Sequence, residues 1–269
     1  MHKRTVDDTS EEIIHLESLG GEYTVTPISN GAKQLAPDLD NRSILFFDTC
    51  AILDIARDSN NNETEWKRKA ANIKAFQEII SQSLNNKIVI VIAAQVLREI
   101  RDHEDIIETG TRSSFTKLQE GLSHALEILE ILGIKHDKSF ENFEKTGESP
   151  TRKVKDNISI LLNKSTLIRE DCSIVYAAWE RVQAGIKPAA KNKQSMKDCV
   201  IIETYLEFNC QLKGLIKQFP EPIFISSDTD DYGESEDQLS QDGLKYAKSL
   251  KGAVSLLSQR QAQRSNMRP

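Results

Sequence analysis

The sequence predicts an α/β protein built on a central parallel sheet, and three observations carry that expectation. Ile44, Leu45, Phe46 and Phe47 form an unbroken apolar run, the pattern of a strand buried on both faces. Lys87 to Ala94 (KIVIVIAA) is a second such run, rich in β-branched residues, and it passes directly into a helical pattern carrying Gln95 to Ile100. Pro222 to Ser226 (PIFIS) is a third, flanked by a helical stretch on one side and an acidic loop on the other. Strands that alternate with helices pair in parallel, because the helix carries the chain back to the same edge.

Taken in order, residues 1 to 42 form an N-terminal extension. In it Ser10 to Leu19 is a short helix candidate stopped by Gly20 and Gly21, and EYTVTPI alternates weakly. The run SILFFDTCAIL then ends its strand at Asp48 and continues as a short helix through Ala56. A polar break at Asp58 to Asn62 precedes a longer helix from Glu63 to Leu84, which Asn85 and Asn86 end. Arg101 to Gln194 shows no strand pattern and reads as a helical insertion. Within it Phe115, Leu118, Leu122, Ala125, Leu126 and Leu129 have helical spacing over Ser114 to Leu132, with Gly133 as the stop. Two further helices are expected over Val154 to Leu162 and Ser165 to Val182, the second ending at Gly185 before Pro188, and His136 to Pro150 is a polar, mobile loop. The α/β pattern resumes with a helix over Ser195 to Asn209, PIFIS, the loop Ser227 to Gly233, a helix around Ser235 to Leu250, and Ala253 to Leu257 as a final strand.

Composition narrows the class. With 269 residues, 38% hydrophobic and 28% charged, the chain has the balance of a soluble globular protein. Met1 to Ser10 has no apolar core of a secretory signal, and the run Ile88 to Val96 is too short to span a bilayer. A cytoplasmic protein with no membrane partner is the expectation. Cys50, Cys172, Cys199 and Cys210 form no CxxC pair and the five histidines form no HxxxH pair, so neither a disulfide framework nor a soft-metal site is suggested. A formal charge of −6 argues against coating nucleic acid by bulk electrostatics. Basic clusters that steer a polyanion locally remain: Arg152, Lys153 and Lys155; Lys187, Lys191, Lys193 and Lys197; and Arg260, Arg264 and Arg268. Each also fits a solvated loop or tail.

Acidic residues recur at equivalent places in the pattern. Asp48 ends one strand, Glu99 lies in the helix after the second, Asp198 is in the first turn of a late helix, and Asp228 and Asp231 follow the later strand. In a parallel sheet these strand ends and helix starts share one edge, so the side chains converge there. Carboxylates gathered at one site repel unless a cation sits among them, and oxygen-only donors suit Mg²⁺ or Mn²⁺. Each acid also has a structural explanation. Asp48 is a preferred N-cap, Ser195 with Asp198 fits a capping box, Glu99 pairs with His103 at i, i+4, and Asp228, Asp230 and Asp231 are turn formers.

The segments ILFFDTCAIL, IVIAAQVLREI, SMKDCVIIETYLEF and PIFISSDTDDYG, in this order, resemble the four acidic motifs of PIN domains, the PilT N-terminus-like metal-dependent ribonucleases. The resemblance implies a three-layer α/β/α fold with a central parallel sheet. It divides the chain into the extension 1–42, a first core part 43–101, the helical insertion 102–195, a second core part 196–260 and a tail 261–269. It implies Mg²⁺ or Mn²⁺ held by Asp48, Glu99, Asp198 and Asp228, with Asp231 completing the catalytic set and Thr49 supplying a hydrogen bond to a carboxylate or water. Cys50 stands where the family more often has Ser or Asn, and the insertion makes the chain about twice the length of a minimal PIN toxin.

The implied activity is endonucleolytic hydrolysis of RNA, single-stranded, leaving 5′-phosphate and 3′-hydroxyl ends, with DNA left open as a substrate. Lys193 and Lys197 flank Asp198 and are candidates to hold the phosphate backbone. A toxin or defence role, a homodimer, and an inhibitory or regulatory protein partner are compatible with the plan. The alternative is a catalytically silent PIN-like module that binds RNA or protein. A phosphotransfer site, which also begins with Asp after the first strand, wants a second Asp where Cys50 stands.

Overall fold

Among the residues described by this computed structural model (10–39, 42–57, 63–134, 149–189, 195–217, 219–233 and 236–266), seven strands form one sheet. They are β1 (Glu12–Leu16), β2 (Gly21–Pro27), β3 (Ser43–Phe47), β4 (Ile88–Ala93), β5 (Ser165–Arg169), β6 (Ile223–Ile225) and β7 (Lys245–Ala247). Their order across the sheet is β1-β2-β5-β4-β3-β6-β7. β1 and β2 make an antiparallel hairpin, and every other pairing is parallel. The continuous apolar runs take the central places because they are buried on both faces: every residue of β3, β4 and β6 is buried. The expected α/β fold with a mostly parallel sheet is therefore the fold observed.

The helices are α1 (Ile28–Leu35), α2 (Thr49–Leu53), α3 (Glu63–Leu84), α4 (Ala94–Asp102), α5 (Thr111–Ile131), α6 (Pro150–Asn163), α7 (Cys172–Ala184), α8 (Met196–Leu215), α9 (Thr229–Tyr232), α10 (Glu236–Gln241) and α11 (Leu250–Asn266). A π-helical turn, Ile106–Gly110, joins α4 to α5.

Several elements differ from the sequence expectation. Ser10 to Leu19 is not an α-helix: Ile14 and Leu16 point inward while Ile13 and His15 face out, a period of two that makes Glu12–Leu16 the strand β1, and Glu17–Leu19 is a 3-10 turn. Ser165 to Val182 is not one helix but β5 followed by α7, and β5 lies between β2 and β4 inside a segment expected to be wholly helical. Asp171 separates the two elements, its Oδ1 accepting the N–H groups of Ser173 at 2.8 Å and Ile174 at 3.1 Å as an N-cap. The helix expected around Ser235 to Leu250 is α10 and β7, turned at Gly243 with φ of 83°. Ala253 to Leu257 belongs to α11, where Leu250, Ala253 and Leu257 are buried at helical spacing. The polar break at residues 58–62, residues 136–148 of the expected loop, and Lys191, Lys193 and Arg268 lie outside the described residues.

One side chain fixes α8 above the sheet. Tyr205 stacks on Phe46 of β3 with centroids 4.5 Å apart and planes at 3°. Its hydroxyl donates to the Phe47 carbonyl at 2.6 Å and accepts the Ala93 N–H at 3.1 Å, satisfying the ends of β3 and β4 together. Asp198 lies seven residues earlier, two turns up the same helical face, so anchoring Tyr205 sets Asp198 over the strand ends.

Candidate functional site

Asp48 is the residue around which the site closes. It follows β3 at the carboxyl edge of the sheet, where β4 lies to one side and the later β6 to the other, the reversal at which α/β sheets open a crevice. The Asp48 side chain caps α2 through Oδ1, which accepts the Thr49 N–H at 2.8 Å. Oδ2 accepts the Cys50 thiol at 2.7 Å and the Ser226 hydroxyl at 2.7 Å. Burial pushes its carboxyl up to about 6, the Cys50 and Ser226 hydrogen bonds oppose that rise, and the charge of Glu99 adds to it.

Glu99 is held at both oxygens. Thr49 Oγ1 donates to Oε2 at 2.6 Å, and Gln95, one turn earlier on α4, donates to Oε1 at 3.2 Å. Thr49 thus meets the expectation of a hydroxyl donor to a carboxylate, and Glu99 turns toward it rather than toward His103. The neighbouring Arg98 pairs with Glu12 of β1 at 2.8 Å and with Glu170 just after β5, so the N-terminal hairpin grips the helix that carries Glu99.

Asp198 gathers the set. Burial raises its carboxyl to about 7, and the charges of Asp48, Glu99, Asp231 and Asp228 add to the rise in that order, which places the four other acids within electrostatic reach of Asp198. The capping-box alternative is not realised: Ser195 makes no side-chain cap on α8, and its buried hydroxyl has no hydrogen-bond partner among the described residues. The turn-forming alternative is realised at Asp228, whose Oδ1 accepts the N–H groups of Asp230 at 3.1 Å and Asp231 at 3.0 Å to cap α9. Its own N–H donates to Ser226 Oγ at 3.1 Å. Asp231 is buried at 5% exposure, while Asp230 is exposed.

Of the lysines expected to bind phosphate, Lys197 is exposed at the start of α8 and donates to Asp102 Oδ2 on α4 at 3.0 Å. Lys193 lies outside the described residues. Lys187, a member of the second basic cluster, donates to the Asp230 carbonyl at 3.0 Å and so brings a cation to the acidic loop.

Four further residues belong to this site. Ser226 links Asp48, Cys50 and the Asp228 backbone; Gln95 supports Glu99; Tyr232 is buried and has its phenol pushed up by burial and then by Asp48 and Asp198; Ser227 hydrogen-bonds Cys50 and Asp54. Gln95 at i−4 from Glu99 is visible in the sequence as a helical pair. The contact between Ser226 and Asp48 crosses the sheet and leaves no local signal.

The donor chemistry suits a divalent cation: the set is all carboxylate oxygen, the carboxyls at Asp48 and Asp198 are raised by burial and by neighbouring acids, and Lys197 at the start of α8 is paired with Asp102. As the side chains stand, no three His, Cys, Asp or Glu residues among those described are drawn together closely enough to hold one ion. The four other acids are within charge range of Asp198, yet no three of the described acids are at coordination range of one point.

A mostly parallel sheet with five acidic residues near its carboxyl edge is an α/β architecture with an acidic crevice. The description PIN domain fits residues 45–232, most of the chain, and the protein belongs to the PIN domain family. No curated protein and no solved structure matches it. PIN domains are generally nucleases that act on nucleic acid and use divalent metal ions. No helix among the described residues is long and apolar enough to cross a membrane.

Proposed function

We propose that this protein is a metal-dependent endoribonuclease that hydrolyses phosphodiester bonds in single-stranded RNA. The observation that carries the reading is Asp198, raised to about 7 by burial and by four other acids. Such a concentration of like charge at a crevice costs stability and marks a place selected for chemistry.

Asp48, Asp198 and Asp228 would hold Mg²⁺ or Mn²⁺, which when bound lowers the pKa of a water and neutralises charge on the scissile phosphate. Asp48 has both Oδ2 hydrogen-bond positions taken by Cys50 and Ser226, so Oδ1 is the oxygen it has to offer. Glu99, clamped by Thr49 and Gln95, and Asp231, buried beside the site, would complete the shell or orient a water. Lys197 holds the phosphate backbone once that phosphate replaces Asp102 as its partner.

A second reading has one observation in its favour. Because no three of these side chains stand at coordination distance of a common point, a catalytically silent PIN-like module binding RNA or protein accounts for the same fold. Cleavage of end-labelled single-stranded RNA and DNA by the wild type and Asp48→Asn, with Mg²⁺, Mn²⁺ or EDTA and with melting temperatures taken alongside, separates the two. Metal-dependent cutting that is lost in a stably folded Asp48→Asn supports the nuclease. Absence of cutting under all conditions, with RNA still bound, supports the binding module.

A further inference from the structure

β3 and β4 pair in register as far as Phe46 and Val91. The next bond of a regular parallel ladder would run from the Ala93 N–H to the Phe47 carbonyl. The Asp48 N–H donates to the Ile225 carbonyl at 2.9 Å and so faces β6, which turns the alternating Phe47 groups toward β4. Tyr205 of α8 stands in the place of that bond, its hydroxyl accepting the Ala93 N–H at 3.1 Å and donating to the Phe47 carbonyl at 2.6 Å. Beyond this point β3 stays paired with β6 and β4 with β5, so the two central strands part where the hydroxyl is inserted.

We propose that Tyr205 is a positioning residue for the acidic site: its hydroxyl is a spacer that holds the ends of β3 and β4 open and so sets the separation of Asp48, Glu99 and Asp198. The inference rests on the reading of these acids as holders of a divalent cation. Phe47 is followed directly by Asp48, and Ala93 is the N-cap of α4, the helix of Gln95 and Glu99. Asp198 lies two turns before Tyr205 on α8. One oxygen therefore touches the roots of two acid-bearing elements and belongs to a third. A direct ladder bond spans about 2.9 Å, whereas the path through the hydroxyl is two bonds, 3.1 and 2.6 Å. That difference is large beside the roughly 0.5 Å to which the donors of a working site must be held.

Two features fit this hydroxyl to the task. Its ring is fully buried, stacked on Phe46 of β3 at 4.5 Å and tilted against Phe224 of β6 at 5.9 Å, so the oxygen has one position. Burial also pushes the phenol well above its ordinary value, and the charges of Asp48 and Glu99 add to the rise, so it remains a donor whatever the state of the acids. The same aromatic cluster carries the spacing onward. Phe224 meets the Tyr232 ring edge-on at 4.9 Å, and Tyr232, next to Asp231, donates to the Asp198 carbonyl at 3.5 Å. A phenylalanine at 205 would stack and bury as well, so packing alone gives the hydroxyl no purpose.

The test is Tyr205→Phe in the full chain, which keeps the ring and lets the ladder close by one bond. The melting temperature should stay close to that of the wild type. A trans-hydrogen-bond NMR coupling between the Ala93 nitrogen and the Phe47 carbonyl carbon, absent from the wild type, should appear. Mn²⁺ affinity by calorimetric titration should fall by about 10- to 100-fold. Phe208→Leu, which alters another ring packed on Phe46 at 6.1 Å and leaves the hydroxyl in place, should keep the wild-type affinity. The coupling needs neither metal nor RNA. A wild type that binds no Mn²⁺ removes the metal reading, and the coupling still decides whether the hydroxyl holds the ladder open. The proposal is overturned if Tyr205→Phe binds Mn²⁺ as the wild type does, shows no new coupling, or weakens binding no more than Phe208→Leu. A Tyr205→Phe chain that fails to fold overturns it too, since the hydroxyl is then a structural requirement and not a spacer.

Discussion

Ser226 donates its hydroxyl to Asp48 Oδ2 at 2.7 Å, joining the end of β6 to the end of β3 across 178 positions of sequence. Ser226 Oγ also accepts the Asp228 N–H at 3.1 Å and contacts the Cys50 sulfur at 3.2 Å. Ser226→Ala leaves the part-buried Asp228 N–H without that acceptor and Asp48 with one donor fewer. A loss of about 1–3 kcal/mol is expected. It should appear as a lower melting temperature together with reduced cleavage. Ser226→Thr, which keeps the hydroxyl, should recover both more than Ala does; equal loss in the two variants would point to packing alone.

Stability should fall as pH rises through the site's titration. Asp198 and Asp48 have folded values of about 7 and about 6 against an ordinary 3.8, so between those limits the folded state holds more protons than the unfolded state. Their stabilising contribution is complete below about pH 4, is lost as pH climbs through 6 and 7, and stays lost above that. Asp198→Asn should flatten this dependence and raise the melting temperature at pH 8, by about 2–4 °C for each 1 kcal/mol relieved. Mn²⁺ should produce a similar rise in the wild type and a smaller one in the variant. A pH profile unchanged by Asp198→Asn contradicts the clustering of charge.

The cysteines should separate by reactivity. Burial first, then the adjacent Asp48 charge, pushes the Cys50 thiol up to about 12, and burial pushes Cys199 up to about 11, while Cys172 and Cys210 are exposed. Alkylation at pH 8 followed by peptide mass mapping should label Cys172 and Cys210 and spare the other two. Rapid labelling of Cys50 in the folded protein would show that its hydrogen bond to Asp48 is not maintained.

Lys197 and Asp102 face each other across the mouth of the site, and such exposed pairs contribute little to stability, about 0–1 kcal/mol. Lys197→Ala should therefore leave the melting temperature nearly unchanged while raising KM for RNA and lessening its dependence on salt. Asp102→Asn, which releases the ammonium, should lower KM. Equal KM values in all three proteins would remove Lys197 from substrate binding.

How much of this could be read in the sequence depends on how far each segment stands alone. β3, β4 and β6 announced themselves because strands buried on both faces need unbroken apolar runs, and the acids at their ends followed from that. β5 did not: STLIR is short and half polar, buries fully only Leu167 and Ile168, and lies between two helices whose pattern overrides it. Ala253 to Leu257 reads as a strand yet is helical for the converse reason, since a short apolar run has no period of its own until its neighbours are included. Asp48, Glu99, Asp228 and Asp231 come within charge range of Asp198. The hydroxyls and amide that restrain them come from positions with no periodic signature, and only the folded chain brings them in.

The place of β5 also governs how the chain is made. β2 has its parallel neighbour about 140 residues downstream, with Thr26 Oγ1 reaching the Leu167 carbonyl at 3.4 Å. During synthesis the first hairpin therefore leaves the ribosome with one edge unsatisfied and waits for most of the protein before it can dock. Until then Glu12 has no Arg98 held in place by Glu170, and the helix bearing Glu99 has no grip at its outer side. The acidic crevice is thus completed late, after the intervening helices exist, and a nascent fragment ending before β5 carries Asp48 and Glu99 without the frame that sets them.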